Sequence, residues 1–352
     1  MSVLLTFLVA SSMAATLVSG QQKPVPAGTI LEQAHAWVEA HQLQKANELL
    51  SELVRQDPGN EAALVELGRV QLAQGLNEDA LKSFEAVLGG KPDSTPAREG
   101  EAKAATAAAL ADRQAGLNDS ALICLIRARK FVPDSPELLL DFGVQAESMH
   151  IYQDADAALT KAHELAPNDP RILYALARVQ FDEQKMPEAE ANLRAYLKVR
   201  PDDATGHYGL GRLLHMLIRD DEAKAELERS IAFEPRQSGS YYELGEIALE
   251  QNEDSEAKSS YEKVLAFAPH HGGALTGMGI LAFREKDYPT AEKYLQSAVF
   301  YASDYPRAHH YYALVLARLG RQAESKKESD LATSLNEQQT KTSRGNFLTV
   351  IQ

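Results

Sequence analysis

The chain of 352 residues has a single cysteine, Cys124, so no intramolecular disulfide and no cysteine-based zinc site can form. Packing alone must hold the fold together. Positive charge is also scarce: 36 Lys and Arg stand against 50 Asp and Glu, and the net charge of -14 gives a field that repels nucleic acid and anionic lipid. The common catalytic strings are missing. No GxSxG or GxxxxGK is present, and His163-Glu164 runs into Leu165-Ala166-Pro167, so there is no HExxH zinc motif. No apolar run reaches the roughly 20 residues of a membrane-spanning helix. The longest, Val3 to Val18, is broken by Ser11, Ser12 and Thr16 and is not preceded by the Lys or Arg of an ordinary export signal. Ser19, Gly20 and Gln21 follow it with the small side chains that a signal peptidase accepts. Residues 1–20 are therefore expected to be a signal peptide, with an uncleaved anchor through residues 3–18 as the alternative, and residues 21–26 a linker. The expected location is periplasmic or secreted.

What the sequence does have is a period. Prolines stand at Pro58, Pro92, Pro133, Pro167, Pro201, Pro235 and Pro269, spaced by 34 residues except for one interval of 41. Ala46, Ala80, Ala121, Ala155, Ala189, Ala223, Ala257 and Ala291 repeat the same spacing with the same single excess. A third track is Gly or Ala, from Ala34 and Gly68 to Gly279 and Ala313. A fourth is large and apolar: Leu50, Phe84, Leu125, Leu159, Leu193, Leu227, Tyr261 and Leu295. Inside each unit two apolar blocks at helical spacing flank a short polar turn, which predicts a helical hairpin. The small residues allow close approach of two helices, the large residue fills the gap beside them, and proline ends the pair.

The spacing of Leu67-Gly68, Ala80, Phe84 and Pro92 resembles the tetratricopeptide repeat. That resemblance implies an all-α fold, a right-handed superhelical solenoid of antiparallel helix pairs. Nine units are expected at 27–60, 61–94, 102–135, 136–169, 170–203, 204–237, 238–271, 272–305 and 306–339, with an insertion at 95–101 that lengthens one helix from Thr95-Pro96. The last unit carries Ser325 and Ser329 where Ala and a large apolar residue are expected, the pattern of a polar cap. Residues 340–352 remain as a tail ending in Phe347-Leu348-Thr349-Val350-Ile351, expected as a disordered terminus with docking onto the array as the alternative.

The array leaves no room for a separate catalytic domain. Gly277-Met278-Gly279-Ile280-Leu281-Ala282 matches a dinucleotide-binding string, but it lies within an expected helix with no preceding strand, so no cofactor is assigned to it. His270-His271 and His309-His310 are expected as solvated surface residues rather than metal ligands, because adjacent helical side chains diverge. Cys124 is expected as a buried thiol.

In the family that the repeat resembles, first helices line a concave face. Carried over by position, that face presents Tyr174, Tyr208 and Tyr242 at intervals of 34, with Arg171, Arg178, Phe181, Arg212 and His215 beside them. These eight residues are the candidate peptide-binding site. Residues 170–237 hold 11 basic and 12 acidic side chains, whereas 136–169 hold 1 and 7 and 238–271 hold 2 and 7, so the ladder sits on a nearly neutral island. A peptide with acidic or C-terminal carboxylate groups suits Arg178 and Arg212, its apolar side chains lying among the tyrosines. The competing reading is that the tyrosines pack between helices. No Asn occupies the fifth, sixth or ninth positions of the units, so the carboxylate clamp of the chaperone-tail-binding members is absent. The sequence thus reads as a non-catalytic protein-interaction scaffold of an exported assembly. A self-associating structural protein is the first alternative and an enzyme or metal-dependent binder the second.

Overall fold

The computed structural model describes residues 26–348; the expected signal peptide, nearly all of the linker and the last four residues of the tail lie outside this range. Among the described residues there are eighteen helices and no strand. In order they are α1 (Ala27–Glu39), α2 (Leu43–Gln56), α3 (Glu61–Ala73), α4 (Asn77–Gly90), α5 (Thr95–Gln114), α6 (Asn118–Arg129), α7 (Pro136–Ser148), α8 (Tyr152–Leu165) and α9 (Pro170–Asp182). They continue as α10 (Met186–Val199), α11 (Ala204–Met216), α12 (Asp220–Phe233), α13 (Ser238–Glu250), α14 (Asp254–Phe267), α15 (Gly272–Arg284), α16 (Tyr288–Tyr301), α17 (Pro306–Arg318) and α18 (Gln322–Leu348). The chain forms two compact units: α1–α5 with Lys130–Val132, and α6 with everything from Pro133 onward.

Helix starts follow from local chemistry. Asn60, Ser135, Asp203 and His271 each accept a hydrogen bond from the backbone N–H three residues on, which satisfies one of the free donors of a helix N-terminus. Pro136, Pro170 and Pro306 occupy first-turn positions, where a missing N–H costs nothing. Between pairs the residue before the periodic proline leaves helical geometry, as at Asp57 (φ -134°, ψ 83°) and Ala268 (φ -133°, ψ 81°), because the proline ring excludes the α conformation there. Ala302 adopts the same geometry ahead of Ser303, so this turn survives without proline.

Within pairs the turn needs one left-handed residue. It is His41, Gly75, Gly116, His150, Gln184, Ile218, Asn252, Lys286 or Gly320, each in the same place in its repeat. Only three of the nine are glycine, which explains why this feature cannot be seen as a glycine track.

The core is a column of small and large side chains. Ala46, Ala80, Ala155, Ala189, Ala223, Ala257 and Ala291 are fully buried, and Leu50, Phe84, Leu159, Leu193, Leu227, Tyr261 and Leu295 are buried one turn later. A methyl group added at Gly143 or Gly279 would lie within about 2.5 Å of the opposing leucine, so these positions hold the two helices of a pair together at glycine distance. First helices of neighbouring pairs touch directly, as between α11 and α13, α13 and α15, and α15 and α17, whereas among the described residues no comparable contact joins second helices. Within each compact unit the first helices therefore form the inner face.

Two expectations need correction. The tail does not begin at residue 340: α18 runs on through Gly345 and Asn346 to Leu348, and among its described side chains Ala332 alone is buried in the core. His309 is not a surface residue either. It is buried with Nδ1 2.6 Å from Glu328 and Nε2 3.0 Å from the Ser303 carbonyl, an arrangement repeated at His207 with Glu226 and the Pro201 carbonyl. In each case both ring nitrogens lie within hydrogen-bond distance of an oxygen. Of the other histidines in the two pairs, His271 caps α15, while His270 and His310 are exposed. Cys124 is buried in α6.

Candidate functional site

On the second unit the inner face is built from α7, α9, α11 and α13, and it brings most of the eight candidate residues into one interleaved row. Arg178 of α9 donates to Glu147 of α7 at 2.5 Å, and the Arg178 side chain is 53% exposed while that of Glu147 is 7%. Arg212 of α11 lies 5.2 Å above the Phe181 ring of α9 and 3.7 Å from Glu243 of α13. His215 of α11 shares Glu243 at 3.1 Å and reaches Glu250 at 3.5 Å. The Glu243 hydrogen bond raises the His215 pKa above its usual value, against the opposing effect of burial. Burial likewise raises the Glu147 carboxyl, and Arg178 counters part of that shift.

The arginines are thus not the free cations the sequence suggests. Each is held from below by a carboxylate of a neighbouring first helix, 31 residues away in the chain, and shows its outer edge to solvent. Arg171 stands apart, closing on Asp169 at its own helix start with a shortest contact of 2.6 Å. A guanidinium carries five donors, so a pair satisfied on one side still offers N–H groups on the other. What it offers is directed hydrogen bonding from a nearly neutral surface.

The tyrosines divide between the two expected roles. Tyr208 and Tyr242 are half-buried wedges between successive first helices: a methyl group at Gly239 would lie 2.8 Å from the Tyr208 ring, and one at Gly273 2.7 Å from Tyr242. Burial raises the pKa of both phenols. Tyr242 belongs as much to the packing beneath, with His271 4.9 Å and Tyr261 6.3 Å away by ring centroids. Tyr174 leans on Tyr196 at 5.2 Å. Arg178 and Arg212 act on the Tyr174 and Tyr208 hydroxyls respectively, so these two form the aromatic part of the row, whereas the Tyr242 hydroxyl meets Tyr305 and Arg307.

A second concavity was not anticipated. On the first unit α1, α3 and the start of α5 enclose a cleft of about 360 Å³ lined by Leu31, His35, Glu61, Ala62, Val65, Glu66, Arg69 and Pro96. Leu31 and Val65 are the fifth residues of their units, and with Ala62 they make an apolar floor. The cleft was readable in principle from two successive apolar residues at a groove position, where the second unit has tyrosine.

The Gly277–Ala282 string does what its helical setting predicts: Gly277 faces the Tyr261 ring and Gly279 faces Leu295, so neither opens toward a phosphate. Among the described residues no group of three or more His, Cys, Asp or Glu is placed to hold a metal ion.

Family models described as tetratricopeptide repeat match residues 38–104, 151–213, 238–271 and 276–325. Among solved structures, the chain resembles one from the APC/C hetero-tetramer Cut9-Hcn1 at 13% identity and a TM-score of 0.56, covering 83% of this chain but only 56% of that one. It also resembles pilF of Pseudomonas aeruginosa at 18% identity and a TM-score of 0.54, over 62% of this chain and 99% of that one. No curated protein matches the sequence. Repeat period, paired helices, inner-face geometry and family matches agree: the chain belongs to the tetratricopeptide repeat family, with an all-α repeat-solenoid fold of the kind that binds protein or peptide partners.

Proposed function

We propose that the protein is a non-catalytic scaffold that binds an extended peptide segment of a partner protein along the inner face of α9, α11 and α13, within an exported assembly. The observation that carries this reading is the row Glu147–Arg178, Phe181–Arg212 and Glu243–His215. Its two arginines are oriented by buried carboxylates and half exposed, while His215, 14% exposed, holds the second of those carboxylates, the arrangement that presents directed donors at low entropic cost. Carbonyl, carboxamide or carboxylate groups of a peptide accept from the outer edges of Arg178 and Arg212, while apolar side chains rest on Phe181 and the tyrosine edges. Because each arginine already has a carboxylate partner, hydrogen-bond geometry rather than net charge selects the ligand. Export rests on the Val3–Val18 run; no helix among the described residues is long and apolar enough to cross a membrane.

Arg212 is the position to test, since its Glu243 contact is the longer one and His215 keeps that carboxylate paired. Capture from the native exported compartment with the full chain, followed by quantitative mass spectrometry, should return a partner set that Arg212→Gln reduces about tenfold, the effect of losing one charge-assisted contact. An unchanged set would remove this face as the site. Tyr208→Ala is a poorer probe, because it also empties the wedge over Gly239.

A further inference from the structure

The turn between α11 and α12 departs from its eight counterparts. The left-handed position falls on Ile218 (φ 59°), and a β-branched side chain is the least suited of all to that conformation. Burial does not offset the strain: Ile218 is 86% exposed, and the two residues before it, Met216 and Leu217, are 53% and 36% exposed. The corresponding three residues are Asp182-Glu183-Gln184 one unit earlier and Glu250-Gln251-Asn252 one unit later, so three successive apolar side chains in a turn are peculiar to this one. Strain without local reward, combined with an exposed apolar patch, marks a surface kept for something outside the fold.

The rim says what that partner is. Asp220 and Asp221 follow the patch on α12, and Gln251 of the next turn donates to Asp220 at 3.0 Å, which brings Glu250, Glu253 and Asp254 alongside. Among the described residues the cations near the patch each already face a carboxylate: Arg219 faces Glu190 and Glu222, Lys185 faces Asp156 and Glu183, Lys224 faces Glu253 and Arg284 faces Asp254. His215 reaches Glu250 only at 3.5 Å and leaves that side chain 61% exposed, so Asp220, Asp221 and the outer edge of Glu250 carry the negative field of the rim. The carboxylates at the starts of α12 and α14 also favour their helix dipoles, but their outward field is negative all the same. We propose that Met216–Leu217–Ile218 is a docking point for a basic amphipathic helical segment of a partner protein, its apolar side chains on the patch and its Lys or Arg residues on the Asp220, Asp221 and Glu250 rim. This lies on the turn edge of the second unit and does not use the exposed arginines of the inner face.

The probe is a fluorescein-labelled helical peptide of Lys and Leu in amphipathic order, titrated into the full chain at low and high salt. Controls are a scrambled peptide of the same composition, a Glu/Leu counterpart, and vesicles of anionic phosphatidylglycerol. The wild type should bind the Lys/Leu helix in a salt-sensitive manner, and the affinity should fall about tenfold in Ile218→Gly and in Ile218→Asn. Arg212→Gln should leave it unchanged, which separates this site from the inner face. Ile218→Gly should at the same time raise the thermal midpoint by about 2–4 °C, since the strain is gone. Equal binding by both Ile218 variants, equal binding of the scrambled peptide, or preference for the anionic vesicles would overturn the proposal. So would loss of binding in Arg212→Gln with Ile218→Gly unaffected.

Discussion

Tyr261→Ala should destabilise the second unit by about 3–5 kcal/mol, the range for emptying a large aromatic from a packed core. Tyr261 is fully buried on α14, and its ring is clasped from both sides: methyl groups added at Gly245 of α13 and Gly277 of α15 would lie 2.7 and 2.4 Å from it. Its hydroxyl donates to Glu246 at 2.6 Å, so the truncation also takes a partner from a buried carboxylate. In an array where most contacts join a pair to its immediate neighbours, the loss should be local, and hydrogen exchange should show α13–α16 opening before α7–α10. Gly277→Ala attacks the same contact from the other side, and the ring has no flexible end with which to yield. Tyr261→Leu should relieve much of that cost, because most other units place leucine here, and urea denaturation of the double-mutant cycle would measure the coupling. Additive losses would mean that the ring and the glycine do not contact as described.

Arg307→Met should cost about 2–3 kcal/mol, less than the loss of one member of a fully buried pair, because the Arg307 side chain is 33% exposed while its Glu246 partner is 10% exposed. Arg307 begins α17 and reaches Glu246 of α13 past α15, where Gly273 and Gly277 contribute no side chain. Glu246 is 7% exposed and joins Arg307 and Tyr261 in one network, tying three successive pairs together. Burial alone would depress the Arg307 pKa, but the adjacent Glu246 carboxylate raises it overall. Replacing Glu246 by glutamine in the Arg307→Met background removes the stranded charge and should recover part of the stability in equilibrium urea unfolding. No recovery would show that Arg307 acts through packing rather than through its charge.

Much of this architecture was written in residue identity at fixed spacing. Ala189, Ala223 and Leu227 recur because a helix pair tolerates only small groups at its seam and large ones beside it. Even the clasp around the aromatic core residues is present: Phe84 and Tyr261 each have glycine sixteen residues later, Gly100 and Gly277, and each ring meets that glycine. What stayed hidden depends on partners rather than on identity. Glu328 lies nineteen residues from His309 and Glu147 thirty-one from Arg178, distances that gain meaning only once the turn geometry and helix register are fixed. The arginines therefore looked free, and His309 looked solvated. The left-handed turn position escaped notice for a different reason, since a backbone requirement filled by Gly, His, Asn, Gln, Lys and Ile leaves no compositional track. The continuation of α18 was missed because a polar helix without an apolar stripe resembles a tail.

The central claim is that first helices of the second unit, not second helices, carry the partner. Photo-cross-linking side chains placed singly at Arg171, Arg178 and Arg212 on the inner face, and at Lys198 and Arg229 on α10 and α12, would test it in the native compartment. All five positions are exposed. Adducts to one partner from Arg178 and Arg212, with none from Lys198 or Arg229, are the predicted result. Adducts confined to Lys198 and Arg229 would place the partner on the outer face and contradict the account.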